Sequence, residues 1–237
     1  MSFLSVFLLG MSSVANSQID APPELQPAGL NPGDTFFVIF VTSQQQNYNR
    51  SATSAEIDVD GVNSAAGGSE TSGVVGWRSL YGFETNAGAG TLNTMDAAEA
   101  WGNVTDRPIF TTTGVRVAND RADMLDNTLL APIGSDENGN APTNTQVFTG
   151  LTNTGAIAAA ALGDDQGAGA QFGLNTSVTG TWAQSALADV NRHLYVLSPL
   201  LRMPLPAASV PVPTLPVFGL AILAGLLGLF GLRRLKR

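Results

Sequence analysis

The chain has 237 residues, 19 acidic against 11 basic, a formal net charge of −8 and no cysteine. All 19 acids precede residue 210 and four of the basic residues lie beyond it, so the first 209 residues are strongly acidic and contain no lysine. This balance argues against nucleic acid and anionic lipid surfaces, whose phosphates need Lys and Arg, and the missing cysteine excludes disulfides, thiolate nucleophiles and cysteine metal sites.

Phe3 to Met11 is a short apolar run followed by Ala15-Asn16-Ser17, small residues spaced as at a leader-cleavage site, so residues 1–17 are expected to be a signal peptide. No Lys or Arg precedes the run, as a misassigned start codon would explain. Without this leader and the C-terminal tail, about 185 residues remain, enough for one medium domain with its own core. Residues 18–34 read as a Pro/Gly-rich lead-in. Thr35-Phe-Phe-Val-Ile-Phe-Val-Thr42 then sets six apolar residues in a row, mostly β-branched or aromatic, which predicts a strand buried on both faces. A short helix is expected over Ala52–Val59, a short strand over Trp77–Tyr81, and a helix over Thr94–Trp101 behind a Thr cap and before Gly102. Arg107 to Ala118 reads as a hairpin turning near Thr113-Gly114. Ala122 to Leu130 holds a turn of helix, and Val147 to Leu151 a short strand. The Gly- and Ala-rich stretch that follows reads as loop to about residue 180. His193-Leu-Tyr-Val-Leu197 is the closing strand, expected to pair with Phe36–Val41, and Pro199 to Pro213 reads as linker. No internal repeat is visible.

Three segments of this domain carry a resemblance: Phe40-Val-Thr-Ser43, Val117-Ala-Asn-Asp-Arg-Ala-Asp-Met-Leu-Asp-Asn-Thr-Leu-Leu-Ala-Pro-Ile-Gly-Ser-Asp-Glu-Asn-Gly139, and Val147-Phe-Thr-Gly-Leu-Thr-Asn153. Together they resemble a bacterial surface domain of unknown function, found in lipoproteins and secreted proteins, that is similar to the endostatin and C-type-lectin-like fold. The resemblance implies an α+β, C-type-lectin-like ectodomain over residues 35–200. That family carries paired cysteines near a Trp in its later segments; here Trp182 stands without them.

Few residues offer chemistry. His193 is the single histidine, expected at the rim of its strand and unable to build a catalytic triad alone. Asp120, Asp123 and Asp126 are spaced so that neighbours can share a helix face, the arrangement a carboxylate-based hydrolase would need, although such residues more often cap turns. Asp136, Asn138 and Asn140 place oxygens at alternating positions, like the start of a calcium loop. Val147 stands where a bidentate Glu would be, so the pattern is incomplete. Asp164-Asp165 adds acidic oxygens without a ligand spacing. A glycan- or protein-binding module should instead present exposed aromatics, for which Trp77, Tyr81 and Trp182 are the candidates.

From Val210 the composition changes. A Pro-rich hinge, Val210 to Pro216, precedes an apolar run, Val217 to Leu232, and a basic end. As a helix the run covers roughly 24 Å, a short span, and its glycines permit close packing in a membrane. Val212-Pro213-Thr214-Leu215 with the terminal Arg233, Arg234, Lys236 and Arg237 resembles the Ile-Pro-Thr-Leu type of exosortase sorting tail in Gram-negative bacteria. Phe218-Gly219 stands where that type has a Trp-Gly pair. The resemblance implies insertion of 217–237 in the inner membrane, cleavage in the 201–216 linker by an exosortase-type membrane protease, and delivery to the cell surface or extracellular matrix. An ordinary single-span anchor that is never cut is the alternative. The expected product is a non-enzymatic surface or matrix protein with a glycan or matrix partner, against the alternative of a secreted hydrolase using Asp120–Asp126.

Overall fold

The computed structural model describes residues 18–46, 54–82, 101, 104–152, 154, 156, 158, 170–188, 191–207, 222 and 224–226. The chain divides into two compact units, Met1–Pro204 and Leu205–Arg237. The leader, most of the helix expected at Thr94–Trp101, Asp164-Asp165 and the sorting residues Val212 to Leu215 and Arg233 to Arg237 lie outside the described residues. Among the described residues no helix is long and apolar enough to cross a membrane.

The first unit is built around β2 (Thr35–Val41). On one edge β2 pairs antiparallel with β9 (His193–Leu197), Ile39 opposite Leu197 and Val41 opposite Tyr195. Farther along the same edge it pairs with β10 (Leu201–Arg202). On the other edge β2 takes β4 (Ile109–Thr111) in parallel, and β4 turns back into β5 (Arg116–Ala118) through Gly114, whose φ of 77° suits glycine. The second edge of β9 is shared by β3 (Arg78–Leu80) and β6 (Gln146–Phe148), and β6 leads outward to β7 (Ala170–Leu174) and β8 (Ala186–Ala188).

The six-residue apolar run of β2 is explained by the two cores it separates. Phe37, Ile39 and Val41 pack with Tyr195, Leu197 and Trp182 on one face. Phe36, Val38 and Phe40 pack with Trp77, Phe110 and Val196 on the other. A strand covered on both faces has no solvent side and therefore shows no polar alternation. Edge-to-face ring pairs lock each core: Phe37 with Trp101 at 5.2 Å between centroids, and Phe40 with Trp77 at 5.3 Å.

Helix α1 (Ser54–Gly67) is longer than the helix expected at Ala52–Val59 and continues through Gly61. A β-carbon on Gly61 would overlap the Ser79 hydroxyl and press on Val196, so this glycine brings the helix close to the sheet rather than ending it. The stretch expected to be loop up to residue 180 contains β7, and β8 follows it. The expected linker contains β10, which also pairs in parallel with β1 (Ile19–Asp20). Arg202 Nη2 meets Asp20 Oδ1 at 2.7 Å across that pair. The sheet thus extends past both ends of the 35–200 span.

Candidate functional site

Beyond Val41 the chain leaves the sheet and turns through Thr42 to Gln46. Three contacts fix that turn: Val41 N–H donates to the Ser135 carbonyl at 2.9 Å, Thr42 Oγ1 donates to the Gln44 carbonyl at 2.8 Å, and Leu194 N–H donates to Thr42 Oγ1 at 3.0 Å. Glu137 then clamps the next residue, its Oε2 accepting from Ser43 N–H at 2.8 Å and its Oε1 from the Ser43 hydroxyl. Gly68 follows α1 so closely that a β-carbon there would collide with the Glu137 backbone. Between these three pieces lies a polar cleft of about 330 Å³, walled by Ser43, Gln44, Asp60, Asn63, Ser64 and Glu137 among others.

The Asp136–Asn140 turn beside this cleft is closed by its own hydrogen bonds. Asp136 Oδ1 accepts from the backbone N–H of Asn138 at 2.9 Å and of Asn140 at 2.8 Å, and Asn138 Oδ1 accepts from Ser69 N–H at 3.0 Å. Asp136 Oδ1 and Asn138 Oδ1, two of the oxygens that suggested calcium, are therefore directed at the backbone, and Asp136 is itself buried. Among the described residues no group of three His, Cys, Asp or Glu side chains is placed to hold a metal ion.

The carboxylates proposed for a hydrolase are likewise engaged locally. Asp120 caps α2 (Arg121–Met124), its Oδ1 accepting from Asp123 N–H at 2.9 Å. Asp123 Oδ2 accepts from Asn119 N–H at 2.7 Å, and Asp126 Oδ1 accepts from the N–H and hydroxyl of Thr128. The adjoining depression includes Asp120 and Arg121 but neither Asp123 nor Asp126.

The aromatics expected on an open binding surface are core residues instead. Trp77, Tyr81 and Trp182 are at most 3 % exposed, because the sheet needs large side chains on both faces. His193 is not at a rim but fully buried, with Nδ1 against the Thr42 carbonyl and Nε2 without a partner among the described residues. Sequence reasoning missed Ser43, Asp60, Ser64 and Glu137. The one signal available was that Ser43 and Glu137 fall inside two of the segments carrying the family resemblance.

Burial lowers the His193 pKa below its ordinary value and nearby Arg192 adds to this, against opposing pulls from the Thr42 and Gln44 backbone and from Glu137. The unfolded chain therefore takes up the proton first. Stability is expected to be full above pH about 6.5 and to fall as the pH drops from there toward the depressed folded-state value, by up to about 1.4 kcal/mol per pH unit. Denaturant unfolding of the parent and of His193→Gln across pH 7.5 to 5 checks this. The variant should lose that part of the slope; an unchanged slope would assign it to other groups.

Residues 210–237 match the family model described as the IPTL-CTERM motif. This match supports an exosortase-type C-terminal sorting tail, which fits an exported chain that is anchored in a membrane before it is cut. Neither the curated proteins nor the solved structures contain a match to the chain.

Proposed function

We propose that the protein is exported, held by its C-terminal segment, and cut by an exosortase-type membrane protease to release a surface or extracellular-matrix protein. The observation that carries this reading is the IPTL-CTERM motif at residues 210–237. A Pro-rich hinge before a glycine-rich apolar run adds support, since small residues allow an apolar segment to pack closely against a partner in a membrane. The test is mass spectrometry of the mature protein from surface and medium fractions. A new C-terminus between Val210 and Pro216 is expected, and intact Arg237 throughout those fractions would overturn the proposal.

The first unit then serves as the working part, a non-enzymatic binding or structural domain for which we propose the C-type-lectin-like fold. Two strands that pair near the ends of the domain, β2 and β9, agree with that architecture. Binding is favoured over hydrolysis because the Asp120, Asp123 and Asp126 carboxylates hold their own turn together, whereas the cleft at Ser43 and Glu137 is walled by polar groups.

A further inference from the structure

We propose that Leu201–Met203 is a strap that locks the N-terminal lead-in, residues 18–34, onto the sheet, so that the second core closes last. Inside the lead-in the backbone bonds are local: Leu25 N–H donates to the Pro22 carbonyl, Gln26 N–H to Pro23 and Asp34 N–H to Asn31. The bonds that leave it converge on the strap. Ala21 N–H donates to the Arg202 carbonyl at 2.8 Å, Gly33 N–H to the Met203 carbonyl at 2.9 Å, and Asp34 accepts from Met203 N–H at 2.8 Å. Asp20 Oδ1 accepts from Arg202 Nε at 2.8 Å. Among the described strands β1 pairs with β10 and with no other, whereas β10 also pairs with β2. The strap therefore has a support of its own, and β1 has none without the strap.

What the strap holds down is a lid on apolar surface. Ala21 and Leu25 are buried in the core that contains Phe36, Trp77 and Phe110, and Leu201 is wholly buried beside them. Burying one Leu and one Ala does not offset the entropy of ordering the whole lead-in, so the lid needs the strap's hydrogen bonds to stay shut. Chain order gives the device a direction. Synthesis starts at the N-terminus, so the lead-in emerges early and waits for nearly all of the first unit before its strap exists. Until then the face under Ala21 and Leu25 is open. A cut between Val210 and Pro216 would leave the strap in the domain, whereas loss of the chain after Pro199 would free the lid.

The strap is independent of the fate of the tail and of what the first unit binds. Native-state amide exchange on the full chain in detergent, read by NMR at single residues, tests it. In the parent, Ala21 should exchange no more slowly than Met203. Both should exchange at least about tenfold faster than Val41, whose N–H is bonded to Ser135 from the central strand. Leu201→Asp should speed exchange at Ala21 by about tenfold or more while Val41 keeps its protection. Ile19→Asp should free Ala21 yet leave Met203 protected, because the Met203 N–H is bonded to Asp34 and not to β1. If Leu201→Asp also exposes Val41, the whole unit has unfolded and Met203→Pro decides. That change deletes the N–H bonded to Asp34 and keeps Leu201: faster exchange at Ala21 supports the strap, and unchanged exchange overturns it. Ala21 more protected than Met203 in the parent, Ala21 still protected in a folded Leu201→Asp, or equal losses at Ala21 and Met203 in Ile19→Asp also overturns it.

Discussion

Phe40→Asp is expected to leave the first unit unfolded at room temperature. Phe40 is fully buried on the central strand and packs edge-to-face on Trp77. Removing a buried Phe side chain alone costs about 3–5 kcal/mol, and placing an unpaired carboxylate in the hole adds several more. A domain of this size has a margin of only about 5–15 kcal/mol, so the sum removes most or all of it. Circular dichroism and thermal unfolding check the outcome. Val75→Asp, at a position 74 % exposed, is the matched control and should melt with the parent. Equal melting temperatures for Phe40→Asp and the parent would show that β2 is not the organising strand.

Gly173→Ala is the second large effect. Gly173 lies inside β7, where a β-carbon would overlap the carbonyl of Trp182. That carbonyl belongs to rigid backbone: Trp182 is fully buried, its own N–H is bonded to Thr179, and its carbonyl accepts from the Tyr195 hydroxyl at 3.2 Å. Relief requires moving the whole 3₁₀ turn at Gly180–Trp182 off the sheet, so a single methyl group should cost about 3 kcal/mol, the upper range for overpacking. Denaturant titration measures it. Gly134→Ala, where a β-carbon meets nothing, should change stability by less than about 0.5 kcal/mol.

The same glycine shows why parts of this fold were hidden in the sequence. β2 and β9 were readable because runs of β-branched and aromatic residues have one economical use, a strand buried on both faces. The hairpin around Gly114 was readable because its turn needs a left-handed residue. β7 carries Ala, Gln and Gly at positions where strand propensity is poor, and its place is set by contact with Trp182, a residue nearby in space that local pattern cannot reveal. The length of α1 was hidden in the same way, since Gly61 lies within the helix where the missing side chain allows close approach to Ser79. β10 looked like linker because two residues among prolines carry no period, yet Leu201 is wholly buried and pairs with Phe36.

The candidate site was less legible than the fold. The tail announces itself because its hinge, apolar run and basic end are contiguous. The cleft draws Ser43, Asp60, Ser64 and Glu137 from three separate segments, and each alone reads as an ordinary polar surface residue. Only the folded chain shows that Glu137 is buried. Conversely, the spacing of Asp120, Asp123 and Asp126 was real but served capping, because a carboxylate beside free backbone N–H groups bonds to them first.

The pairing of β10 with the start of β2 has a mechanical consequence. Arg202 lies opposite Thr35, at one end of β2, while the cleft opens past Thr42 at the other. Tension applied through the chain after Arg202 and resisted by a ligand in the cleft would pull the two antiparallel strands along their length. The hydrogen bonds between strands run across that direction, so they share the force together instead of parting one after another. The Arg202–Asp20 pair ties β1 into the same junction. Under such a load the first unit would be strained in shear, the geometry in which a sheet resists drag best.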